Sequence, residues 1–179
     1  GCGPRDSASR KTRLVIPNLE TVMNNIITPA ETVRLAFTDG EYVSPDAIGE
    51  ADIEAALRRR IEPVAGRALC EAMREGAYPD FVSEYAAPAL ALCVRLVVQP
   101  RLNAATGQTG LAVPAGTNRK AADTTVRAEL MRALRIRARE AVRRMSDYLD
   151  AHAASMAEYE PKDNILKRCC CDGGFVQIR

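Results

Sequence analysis

Residues 121–149 read AADTTVRAELMRALRIRAREAVRRMSDYL. Val126, Leu130, Leu134, Ala138, Val142, Met145 and Leu149 recur at steps of three and four, the spacing of one face of an α-helix. Between them stand Arg127, Arg132, Arg135, Arg137, Arg139, Arg143 and Arg144. Against these seven arginines the stretch sets Asp123, Glu129, Glu140 and Asp147, so the basic surplus is local in a chain whose net charge is only +2. The pattern predicts one long helix from about Ala121, against which the rest of the chain packs.

Composition agrees with helix-on-helix packing. Hydrophobic residues make up 47% of the 179, but aromatics only 4%, and Trp is absent. The core must come from Ala, Leu, Val, Ile and Met, and the excess of Ala and Arg over β-branched and aromatic residues disfavours sheets. A chain of this length implies one domain with tails. The expected fold is all-α: a small helical bundle with one long C-terminal helix and a glycine-containing extended loop or short β arm.

Working upstream, the loop AATGQTGLAVPAGTN (104–118) feeds the long helix. Gly107, Gly110, Leu111, Val113 and Pro114 mark it as a candidate docking loop. The glycines permit unusual backbone conformations, and an apolar strand on a long loop needs a partner, from its own chain or a neighbour. Before it, a helix after Tyr78-Pro79-Asp80 runs to about Gln99 and is apolar nearly all round, which predicts the central core helix. Pro88 predicts a kink in it. Another helix spans about Glu50 to Glu75, stopped by Gly76, with a kink or break expected at Pro63. Thr28-Pro29-Ala30-Glu31 has the composition of a capping box and opens a short helix ending near Phe37. Cys70 and Cys93 read as small buried apolar residues.

The expected division is a disordered leader at 1–22, a helical domain at 23–160 and a flexible cysteine-containing tail at 161–179. Met23 begins the first patterned segment and reads as a natural start. The apolar run Tyr85–Val94, interrupted by Pro88, falls short of the ~20 residues of a membrane span. No apolar segment in the leader suggests a signal peptide. These features point to a soluble intracellular chain with no membrane partner.

The sequence carries no catalytic constellation, so an enzyme is not expected. His152 is the one histidine and would have to serve any Ser-His-Asp or Cys-His arrangement; near a helix C-terminus it reads as a surface residue. Gly107-Gln-Thr-Gly110 matches the short Gly-x-x-Gly loop of KH domains without that fold's strands around it. The acidic residues lack hard-metal spacing. Adjacent cysteines Cys169–Cys171 cannot close a zinc tetrahedron alone. They read as an incidental tail or, beside Lys167-Arg168, as a lipid-bearing site. No cofactor is called for.

The order TPAETVRLAF (28–37), DIEAALRRRIEPVAGRALCEAM (52–73), YPDFVSEYAAPALALCVRLVVQPRL (78–102), TGQTGLAVPAG (106–116) and the long helix to His152 resembles head–tail connector (adaptor) proteins of tailed bacteriophages, including those of gut Bacteroidales phages and prophages. The resemblance implies a structural, ring-forming virion subunit bridging portal and tail around the DNA exit path. It would be assembled in host cytoplasm and located at the head–tail interface. Its implied partners are further copies of itself, the portal protein and tail-side proteins, with non-specific DNA contact possible. Arg127, Arg132, Arg135, Arg139 and Arg143 are the candidate subunit-interface or DNA-facing residues, with Glu50, Asp52, Glu54 or Glu71 of a neighbour as acidic partners. The competing readings are an arginine-rich helical nucleic-acid-binding protein and a helical scaffold subunit of another complex.

Overall fold

The computed structural model describes residues 25–38, 43–102 and 123–167 in full, and the backbone of the strands at 105–107, 110–112, 169–172 and 175–178. The leader at 1–22, Asp39-Gly40, Val113 and Pro114 lie outside the described residues. The architecture is all-α, with a long C-terminal helix.

Helix α1 (Pro29–Ala36) opens as its composition predicts. The Thr28 N–H donates to Glu31 Oε2 at 2.8 Å, and the Glu31 N–H returns a bond to Thr28 Oγ1 at 3.3 Å. Two otherwise orphaned N–H groups are thereby satisfied. Ser44 caps a 3-10 turn at Pro45–Ala47, its Oγ accepting from the Asp46 N–H at 3.4 Å. Helix α2 (Glu50–Ala56) follows, with the Gly49 N–H held by Asp52 Oδ2 at 3.0 Å.

Both core prolines are accommodated by widening the helix rather than breaking it. A π turn, Leu57–Ile61, precedes Pro63 and leads into α3 (Glu62–Ala65). A second, Val82–Ala86, precedes Pro88, between α5 (Pro79–Phe81) and α6 (Ala87–Leu102). In each, the N–H at the end of the π turn bonds five residues back, Glu62 to Leu57 and Ala87 to Val82. A proline has no N–H for the carbonyl four residues behind it, and its ring clashes there; a wide turn carries that carbonyl aside. Helix 79–102 therefore runs continuously through Pro88, and Pro100 does not end it.

The break expected at Pro63 falls at Gly66, between α3 and α4 (Arg67–Arg74). Gly66 adopts φ 85° and ψ 156°, a region that is essentially glycine-only. A Cβ added there meets nothing within 4 Å, so the effect of a side chain is purely on the backbone. Gly66→Ala is expected to destabilise the chain by about 1–3 kcal/mol, read as a lower urea midpoint with an unchanged slope.

Helix α6 is the centre of the bundle, packed by α1, α2 and α7 (Thr124–Ala151). Leu90, Val94 and Val98 from α6 meet Ile53, Leu57 and Ile61 from the α2 arm and Met145 and Leu149 from α7, all fully buried. By length and composition, Pro79–Leu102 is apolar enough to cross a membrane, contrary to the reading of a short interrupted run. The physical reason is the continuity through Pro88. Its apolar surface is the surface the other helices cover.

Cys70 and Cys93 are buried in this core. Burial pushes the Cys70 thiol up to about 12, with the Glu62 charge adding to it, and burial pushes Cys93 up to about 11. A raised thiol contributes stability in full below its unfolded value near 8.5–9 and loses it as pH rises towards 11–12. Alkylation of the native chain at pH 8 is expected to spare both cysteines, and denaturant to expose both, as read by peptide mapping. Modification of either at a free-thiol rate in the native chain would contradict the packing.

The packed body continues beyond residue 160, where the sequence suggested a flexible tail. Asn164 is fully buried: its Nδ2 donates to Ser146 Oγ (2.8 Å) and Tyr159 Oη (2.9 Å), and its Oδ1 accepts from the Leu166 N–H. The Tyr159 hydroxyl donates to Asp150 at 2.5 Å, and Lys167 bridges Asp147 and Asp150. Burial, then the Asp150 hydrogen bond, pushes the Tyr159 hydroxyl up to about 12. The Ile165 N–H bonds the Pro63 carbonyl at 3.0 Å. Residues 161–167 thus pin the C-terminal half of α7 to the α3 turn. Beyond them, Cys169–Asp172 and Phe175–Ile178 pair as an antiparallel ladder.

Candidate functional site

Helix α7 begins later than the pattern suggested, at Thr124, because Asp123 caps it: Asp123 Oδ1 accepts from the Thr124 N–H at 2.7 Å. Its 28 residues span about 42 Å. Leu134, Ala138, Ala141, Met145 and Leu149 are buried along one side. At about 100° per residue, Arg132, Arg135, Arg139 and Arg143 fall within about 80° of one another on a flank turned away from the buried side, in a stripe about 16 Å long. All four are exposed, and none has a carboxylate partner among the described residues. The apolar Ile136, 48% exposed, lies beside the stripe.

Arg127 does not join it. Seven residues before Leu134, it falls on the inner side and is half-buried. That spacing was readable in the sequence, since seven residues are nearly two whole turns.

Other arginines are already committed. Arg58 and Arg74 both pair with Glu54, and Arg67 pairs with Glu71 at 3.0 Å. Arg101 reaches Asp52 at 2.8 Å and also bonds the Ala47 carbonyl, fastening the end of α6 to the start of α2. Burial acts to raise the Asp52 carboxyl, but the Arg101 hydrogen bond, the Gly49 N–H and the Arg101 charge outweigh it and hold the group below its ordinary value. Of the acids expected to receive a neighbour's arginines, Asp52, Glu54 and Glu71 are therefore engaged within their own chain. The notch of about 200 Å³ lined by Glu54, Glu71 and Cys70 is walled by these internal pairs.

A second surface was not foreseen. Phe81, Tyr85, Tyr148 and His152 stack in sequence, with ring centroids 5.4 Å apart for Phe81–Tyr148, 4.4 Å for Tyr85–Tyr148 and 4.0 Å for Tyr148–His152. Phe81 is buried, the tyrosines are half-buried and His152 is exposed, so the stack leads outward. Tyr78, in the left-handed region at φ 56°, donates its hydroxyl to Glu158 at 2.6 Å. That hydrogen bond raises the Tyr78 hydroxyl above its ordinary value. Exposed Asp80 and Glu84 directly precede Phe81 and Tyr85 in the chain; among the described residues, neither they nor Glu158 have a cation partner. Residues 63 positions apart build this patch, and no local pattern announces such a contact.

In the glycine loop, Ala105–Gly107 and Gly110–Ala112 form an antiparallel ladder, with Gly107 opposite Gly110 and Thr106 opposite Leu111. Among the described residues, no group of three His, Cys, Asp or Glu gathers as a metal set.

A family model described as a family of unknown function, DUF6712, matches residues 46–168, which is well over half of the chain. No curated protein and no solved structure matches.

Proposed function

The chain belongs to the DUF6712 family, whose function is unknown, and we propose that it serves as a structural virion subunit, a ring-forming head–tail connector that bridges portal and tail around the DNA exit path. The observation that carries this reading is the stripe Arg132, Arg135, Arg139 and Arg143, exposed and without a carboxylate partner among the described residues, on a long helix whose core-facing side is buried. A charged row held on a rigid helix suits a fixed protein contact, because little side-chain or backbone ordering remains to be lost on docking. The order of elements, which resembles that of phage connectors, supports the same reading. The glycine arm is assigned to docking on a neighbouring subunit or the portal by strand pairing.

The stripe is assigned to protein contact rather than to DNA. A connector lets a genome slide past, and strong phosphate binding would retard it. The test is sedimentation of the purified chain with the portal protein encoded nearby, paired with a salt titration against duplex DNA. Comigration with the portal is the expected result. No comigration, together with DNA affinity that falls steeply with salt, would move the assignment to nucleic-acid binding.

A further inference from the structure

We propose that the aromatic patch at the end of the bundle, the Tyr85–Tyr148–His152 stack together with Asp80 and Glu84 beside its rings in the chain and Glu158 on the Tyr78 hydroxyl, is the receptor for the arginine stripe of a second copy of this chain. The inference rests on the connector reading and names the two surfaces through which neighbouring subunits meet.

Three features of the molecule carry it. The first is chemical fit. Guanidinium groups are planar, stack on aromatic faces and pair with carboxylates, so a surface offering stacked rings with unpaired acids beside them suits arginine better than lysine. Four exposed arginines on one side meet three exposed acids on the other. The second is that, among the described residues, neither set has a partner of opposite charge, whereas Arg58, Arg67, Arg74 and Arg101 have theirs.

The third is placement. Arg139 and Tyr148 are nine residues apart on one rigid helix, which sets them about 180° apart around its axis and about 14 Å apart along it. The stripe cannot fold back onto the patch of its own chain. Two complementary surfaces on opposite sides of one body make a head-to-tail contact, which closes into a ring when the rotation between neighbours permits. Three of the four acidic positions first expected to receive the stripe, Asp52, Glu54 and Glu71, are engaged internally, and this patch takes their place.

The experiment is a charge exchange, read by sedimentation at about 1 mM protein and low salt, where even a weak contact registers. R135E/R139E and D80K/E84K are made separately, mixed in equal amounts, and combined in one chain. Wild type is expected to self-associate. Each double variant alone should associate about a hundredfold more weakly or worse, because like charges now face each other. The mixture and the combined chain should both recover, since every stripe again finds an opposite charge. Circular dichroism of each variant excludes loss of fold as the cause. A wild-type chain that stays monomeric, either double variant associating like wild type, or a mixture that fails to recover would each overturn the pairing. The connector reading is judged separately, by binding to the portal, which does not require this contact.

Discussion

Replacing Arg135 and Arg139 together with glutamate is expected to leave the monomer folded and to remove its incorporation beneath the portal. Both side chains are exposed and without carboxylate partners among the described residues, so the folded state loses no internal contact. Substitutions of that kind change stability by only about 0.5 kcal/mol. Reversal also relieves the crowding of like charge along the stripe. At a contact surface the same change costs several kcal/mol, because it replaces attraction by repulsion where water is excluded. The expected signature is therefore a split: an unchanged melting curve with assembly weakened by a factor of about a hundred or more. Unchanged assembly with unchanged DNA affinity would reduce the stripe to an ordinary solvated face. Unchanged assembly with lost DNA affinity would favour the nucleic-acid reading.

The second large effect concerns Arg95, which is 6% exposed on the core helix α6. Its Nη1 donates to the Ala36 carbonyl at 2.5 Å, its Nε donates to Gln99 Oε1 at 3.1 Å, and its guanidinium lies 4.7 Å from the Phe37 ring centre. Ala36 ends α1, where carbonyls lack intrahelical partners and a cation is favoured. One buried side chain thus closes the end of α1 and holds it on the bundle. Arg95→Ala removes the cation, takes one hydrogen bond each from buried Gln99 and the Ala36 carbonyl, and opens space beside Phe37. The expected loss is about 3 kcal/mol, which lowers the melting temperature by about 10 °C for a chain of this size. Arg95→Met restores the volume but not the hydrogen bonds, and should recover only part of that loss. A melting temperature for Arg95→Ala unchanged from wild type would show that α1 is held by its apolar contacts alone.

The helices were legible because their signals are local. Thr28 and Glu31 announce a cap within four residues, and the three-and-four rhythm of Leu134, Ala138, Met145 and Leu149 needs no knowledge of a partner. The prolines were legible as perturbations but not in form: a π turn is a choice the backbone makes once packing on both sides favours keeping the helix whole. Gly66 was passed over because a lone glycine inside a helical pattern looks tolerable until its φ is known. The stripe was readable from helical spacing, which also separates Arg127 from it. The aromatic patch was not readable, since Phe81 and Tyr85 meet Tyr148 only after α6 and α7 pack. Nor was the buried role of Asn164, whose polar side chain, in a stretch resembling a tail, is satisfied by Ser146 and Tyr159 only in the folded chain.

The most direct test of the connector account is negative-stain imaging of the portal alone and of the portal mixed with this chain. The account predicts a closed ring of added density beneath the portal, coaxial with its channel, and absent when the chain carries R135E/R139E. A portal that looks the same with and without saturating amounts of the wild-type chain would contradict it.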